Sequence, residues 1–321
     1  MSAARIGRPG TTAPHGRETE GRTRERRWSN AAGRPRTRAA ALGFALAGSL
    51  AAPAVANGQP ARGRPSDDIA QQVARAGDAI VRFEFAVRAG VCGDGRGSVT
   101  IPGPDGTSRH GMVIDGPGQS WAAARCEPGP GRVTLTVRDG MPRSVRFAVG
   151  PARPLGGRVD AAERTVDLGP VPAPAAAAYL LDLAARPDAP PPSRAVLAAA
   201  VADSAVVWPR LLGLARDSRP SDAARREATF WAGQYACDAV AAAHPAPARA
   251  DTADREVRRE VVFALSQQRA AERTAPLVRV AETDRDPAVR CAALFWLGQG
   301  GGGTAGDTRV LDLYERVLRG R

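Results

Sequence analysis

The chain contains no lysine, and it has only three His, three Met, four Cys and 5% aromatic residues in 321 positions. Four Cys over this length exclude a disulfide-dense mini-protein, and the lack of repeated long apolar runs excludes a membrane channel. HExxH, GxSxG, P-loop and dinucleotide-binding fingerprints are all missing, so the common routes to metal, acyl-transfer and nucleotide chemistry have no anchor here. With no lysine, all 45 basic residues are arginine. Beside 35 Gly, 27 Pro and abundant Ala, this reads as GC-rich codon usage rather than selection for phosphate contacts.

The net charge of +12 is unevenly placed. Residues 1–38 hold ten Arg and three Glu, which is +7, and the remaining 35 Arg against 30 acids leave +5. Nucleic acid is therefore not expected as a partner. The basic segment precedes Ala39 to Ala56, an uncharged stretch ending in Ala54-Val55-Ala56, the small-x-small pattern read by a signal peptidase. Residues 1–56 are read as a signal peptide with a long basic n-region, cleaved after Ala56. Export to the periplasm or the extracellular space follows, with no membrane span left after signal removal.

A flexible leader is expected over 57–78, with a short helical stretch around Asp67 to Arg75. Beyond it the apolar period becomes two. Val81, Phe83, Phe85 and Val87 alternate with polar or small residues, as do Val133, Leu135 and Val137, then Val145, Phe147 and Val149 across an Asp139-Gly140 turn. This predicts a small antiparallel β-module over 79–152, with a further short strand at Met112 to Ile114. Cys92 and Cys126 flank a Gly/Pro-rich loop of this module, and in an oxidising compartment a disulfide between them is expected. The Cys92-Gly93-Asp94-Gly95 segment reads as a tight turn rather than an ion site. No metal or cofactor is expected.

Residues 153–174 read as a linker with one short strand near Thr165 to Leu168, and then the period shifts to about 3.6. Segments beginning Arg225-Arg226-Glu227, Arg258-Arg259-Glu260 and Arg290-Cys291-Ala292 align with one another, their Phe230, Phe263 and Phe295 falling 33 and 32 residues apart. In this register Ser221, Asp254 and Asp286 occupy helix-capping positions. Pro209 to Arg216 and Pro276 to Glu282 read as second helices. Phe230, Phe263 and Phe295 are expected in the core, with Trp231 and Trp296 packing beside them. Stacking the three segments in order places Cys237 and Cys291 roughly 20 Å apart, at about 10 Å per layer, which predicts two unpaired buried thiols.

Val257 to Gln267 and Asp284 to Gln299 resemble HEAT repeats, in particular the short bacterial kind related to phycobilin-lyase repeats. The resemblance covers 175–319 and implies an α-helical solenoid, so the expected fold is α+β and multidomain, a β-module followed by helical repeats. His244-Pro245-Ala246-Pro247 interrupts one second helix. No position matches a lyase active site, so the resemblance does not carry that activity over.

A non-catalytic, protein-binding scaffold of the cell envelope is the function these features imply, with Arg210, Arg279, Glu282, Asp312 and Arg316 as the candidate interaction face. Two alternatives stay open at this point. One is a β-module that binds a small ligand or glycan, Trp121 being its test residue, with the repeats as a stalk or dimerisation element. The other is a cryptic hydrolase or lyase built around His110.

Overall fold

The computed structural model describes residues 65–102, 108–109, 126–152, 164–189, 193–244, 252–299 and 306–320. The signal segment, the expected strand at 112–114, His110 and Trp121 lie outside them. The fold is α+β, built from a sheet-bearing first part and a helical second part.

The leader residues Pro65–Arg75 form α1, which buries Ile69 and Val73. Strand β1 (Ala79–Phe85) pairs antiparallel with β5 (Gly131–Arg138), and β5 pairs antiparallel with β6 (Met141–Val149). Asp139 and Gly140 both hold positive φ, 54° and 70°, which is the twist a two-residue hairpin turn requires. The alternation has the consequence expected of it. Val81, Phe83, Phe85, Val133, Leu135, Val137, Val145, Phe147 and Val149 are all buried on one face.

The sheet is not wholly antiparallel as expected. A further strand, β7 (Thr165–Pro170), lies parallel to β1, giving the order β6-β5-β1-β7. Its Val166 and Leu168 pack against the core, which gives this short strand an apolar face of its own. A second, three-stranded sheet is formed by β2 (Cys92–Gly93), β3 (Val99–Pro102) and β4 (Ser108–Arg109). Cys92 and Cys126 are joined by a disulfide with Cα atoms 5.1 Å apart.

The helices are α2 (Ala173–Ala184), α3 (Ser193–Ala200), α4 (Trp208–Arg216), α5 (Asp222–Ala243), α6 (Thr252–Ser266), α7 (Ala270–Thr283), α8 (Pro287–Gln299) and α9 (Thr308–Leu318). The buried face of the first sheet meets α2, where the Phe83 and Tyr179 rings meet edge-on at 6.2 Å, and β6 meets α3. One hydrophobic core therefore runs from the strands through the helices, inside a single compact unit spanning Gly58–Arg321.

The helical part departs from in-order stacking, and the cause is local. Residues 237–243, expected to open a second helix, instead extend α5 to 22 residues. One reversal is thus lost between α5 and α6. A complete helical pair returns the chain to its starting direction, whereas a single helix leaves it reversed. Consequently α8 runs antiparallel to α5: Gly298 abuts Phe230, Gly233 abuts Leu294, and Cys237 faces Cys291. It runs parallel to α6, where Arg255 meets Asp286 and Phe263 meets Trp296. Helix α8 thus packs on both α5 and α6, and α9 packs on both α4 and α7.

This arrangement corrects the reading of the second cysteine pair. Cys237 and Cys291 are not unpaired thiols about 20 Å apart. They form a disulfide with Cα atoms 4.6 Å apart, because α8 lies directly against α5. Two further expectations shift. Asp254 lies inside α6 rather than capping it, since the helix begins at Thr252. Helix α7 begins at Ala270, six residues before the expected start, and carries Pro276 in its interior.

Candidate functional site

Four of the five residues expected on an interaction face are brought into ion pairs that join neighbouring helices. Arg210 on α4 pairs with Asp182 on α2 and also donates to the Ala178 carbonyl at 3.0 Å. Arg216 on α4 donates to Asp312 at 2.8 Å and Glu315 at 2.7 Å, both on α9. Arg316 on α9 pairs with Glu282 on α7. Arg279 is exposed on α7. The guanidinium groups of Arg210 and Arg316 are thus balanced by carboxylates, so this surface is a ladder of matched charges rather than a cationic face. Exposed pairs of this kind contribute little stability singly, about 0–1 kcal/mol each.

Helix α6 presents something different. Its only buried side chains are Val262 and Ser266. Val257 is 63% exposed, Val261 53% and Phe263 45%, three of the four large apolar side chains exposed among the described residues. Val257 and Val261 are one turn apart and share a face, while Val262 sits about 140° around the helix at 100° per residue. The core therefore takes one side of α6 and leaves a second apolar side in solvent.

This overturns the placement of Phe263 in the core. Its ring leans on Trp296 at 5.4 Å, and the contact continues through Phe295 and Phe230 to Trp231. Phe230, Phe295 and Trp296 are half-buried along this line. Only Trp231, 3% exposed, is fully packed, with its indole N–H donating to Glu227 at 2.8 Å. Desolvation pushes the Glu227 carboxyl above its ordinary range, opposed by the Trp231 hydrogen bond and the charge of Arg194.

Val257 and Val261 were not singled out from sequence. The available signal was the apolar cluster Val257, Val261, Val262 and Phe263, too widely spread around a helix for one face to bury.

The N-terminal end of α6 is held by a charge network. Arg255 donates to Asp286 at 2.7 Å, Arg258 to Asp284 at 2.6 Å, and Arg285 to Asp254 at 2.7 Å. Asp286 also accepts from the Ala288 N–H at 2.9 Å, the capping role expected of it, and Ser221 caps α5 through the Ala224 N–H. Burial works against the charged form of Asp286, but the Arg255 and Ala288 hydrogen bonds outweigh it and hold the carboxyl below its ordinary 3.8. A depressed folded pKa stabilises the fold above the unfolded value and loses that contribution as pH falls through the folded one. Asp286→Asn keeps a capping oxygen and removes the charge. It is expected to cost about 1.5–3 kcal/mol at pH 7, the range for a hydrogen bond to a charged group. The gap between the two proteins should narrow between pH 7 and pH 2.5, as Asp286 begins to take up its proton. Urea midpoints of both at the two pH values check this; an equal gap at both would refute the charge as the cause.

The Asp94 turn is closed on itself. The Asp94 Oδ1 accepts from the Arg96, Gly97 and Ser98 N–H groups at 2.8, 3.0 and 3.0 Å, which fills the concavity an anion would occupy. Burial opposes ionisation there and is outweighed by those donors, so the carboxyl stays below its ordinary range. Among the described residues no group of three or more His, Cys, Asp or Glu side chains is placed to hold a metal ion. Nor is any described helix long and apolar enough to cross a membrane. Together with two disulfides, that is compatible with export. No family model, no curated protein and no solved structure matches the chain.

Proposed function

We propose that this protein is a non-catalytic scaffold of the cell envelope, periplasmic or extracellular, which binds a protein partner through its HEAT-like helical segments. The observation that carries this reading is the outward apolar face of α6. Val257 and Val261 lie one turn apart on this face, 63% and 53% exposed, whereas Phe263 sits on the side of the helix that meets Trp296 of α8. Scattered single apolar residues are ordinary on a protein surface, whereas a contiguous group marks an interaction site. The ion-paired helices supply a rigid support. Their charges are already matched, so docking at α6 works by apolar burial rather than by electrostatic attraction.

Substitution on α6 tests this more cleanly than deletion of the helical part, because the sheet and the helices share one core. A photoreactive side chain placed at Val257 or Val261 is expected to cross-link a discrete partner in envelope extracts, and one placed at Val206, 76% exposed, is not. Val257→Asp with Val261→Asp should abolish partner capture and move stability by no more than about 0.5 kcal/mol each, the usual range for surface positions. Partner capture that survives this double change would sink the assignment.

A further inference from the structure

Beside its valines, the outward surface of α6 carries a second row of side chains that restricts the partner it can take. At about 100° per residue, Ala253, Val257, Val261 and Ala264 share one stripe of the helix, and Glu260 sits about 60° around from Val257, toward Phe263. All five are exposed. Glu256, one turn before Glu260, is paired with Arg259 at 3.6 Å. Glu260 is joined to none of the described residues by a hydrogen bond or ion pair. Phe263 follows about 60° further on and is 45% exposed.

We propose that the α6 face docks a cationic amphipathic helix of its protein partner, whose apolar stripe covers Val257 and Val261 and whose arginine or lysine reaches the Glu260 carboxylate. The inference rests on the α6 reading and deepens it by fixing the chemistry of the partner.

A helical partner follows from the surface itself. The mid-helix N–H and C=O groups of α6 are spent within the helix, so this face has no edge to which an extended segment could add. A segment that covers it must satisfy its own backbone, as a helix does. Ala253 and Ala264 are short and flank the valines along the stripe, which lets a second helix approach closely. The 15 residues of α6 span about 22 Å, room for about four turns of a partner.

Charge then selects among helices. A second copy of the chain is the disfavoured occupant, because two-fold pairing sets the same flank of each α6 together and brings Glu260 toward its own counterpart. Like charges across an interface are penalised. A cation at that place gains the unused carboxylate and lies beside the Phe263 ring. The residues outside 1–38 sum to +5, so attraction of a cationic helix is local to this flank and not a property of net charge. A pair at the rim acts on partner choice and salt dependence, while the valines supply the affinity.

Three synthetic helical peptides of about 18 residues test this, each with one leucine and alanine stripe, flanked by arginine, glutamine or glutamate. Fluorescence anisotropy of each labelled peptide, titrated with the full chain at low salt, is expected to show saturable binding. The arginine peptide should bind about fivefold more tightly than the glutamine one and at least about tenfold more tightly than the glutamate one. This preference should fade in about 0.5 M salt. Glu260→Arg, at an exposed position, should make the glutamate peptide the tightest and leave the far-UV helical signal unchanged. Val257→Asp with Val261→Asp should abolish binding of all three. Equal affinity for the three peptides, no saturable binding of any, or an arginine preference that survives Glu260→Arg overturns the proposal. Self-association of the chain that the double valine change removes, read by sedimentation, makes a second copy the occupant and overturns it too. The α6 reading itself falls only if capture of the envelope partner survives the double valine change, so the two failures are distinct.

Discussion

Phe83→Ala is expected to lower the unfolding free energy by about 3–5 kcal/mol, the range for deleting a buried phenylalanine ring. Phe83 is fully buried at the centre of β1, touches Phe85 within the strand and meets Tyr179 of α2 edge-on. Its removal opens a cavity at the seam between strands and helices. That location makes the unfolding profile as informative as its midpoint. Because the core is continuous across the seam, hydrogen-exchange protection of the β1 and β5 amides and the far-UV helical signal should be lost together, in the variant as in the wild type. Two separated transitions, with only the earlier one shifted, would show that sheet and helices fold as independent units.

The second large effect concerns the helical disulfide. Replacing both Cys237 and Cys291 by alanine should cost about 4 kcal/mol on the chain-entropy account, the figure for a closed loop of the 54-residue separation. Both side chains are buried, at 0% and 8% exposure, so the native bond should resist mild reductant until the fold opens. Thermal unfolding of the double variant against wild type measures the loss. Non-reducing peptide mapping decides the pairing itself. Recovery of both as free thiols would refute the bond. Single replacements should fall near the double one, since either removes the same crosslink.

Much of the first half was legible from sequence because strand signals are local. Alternation every second residue names the buried face whatever the partner strand, and Asp139-Gly140 names the turn. Strand β7 was legible as a short strand but not as the parallel neighbour of β1, since six residues specify extended backbone without specifying which edge they join. In the helical half, helix existence followed from periodicity and capping at Ser221 and Asp286. The order in space did not follow. The aligned Phe positions suggested three equivalent helices, yet α5 and α8 run in opposite directions.

The same step explains why the candidate site moved. Arg210, Glu282, Asp312 and Arg316, expected on an interaction face, lie in ion pairs across helix boundaries that no periodicity reveals. Phe263, placed in the core by its alignment with Phe230 and Phe295, is 45% exposed because it lies at the margin of the α6–α8 contact, its ring leaning on Trp296 rather than covered by it.

By itself, then, the sequence determined the α+β class, the inward faces of the strands, the hairpin and most of the helices, all properties of residues within a few positions of one another. Only the tertiary structure decided the Cys237–Cys291 bond and the open face of α6. Each depends on the direction in which a distant helix returns. For the disulfide and the α6 face, that direction turned on whether 237–243 continued one helix or began another, and the uninterrupted 22 residues of α5 leave α8 antiparallel to it.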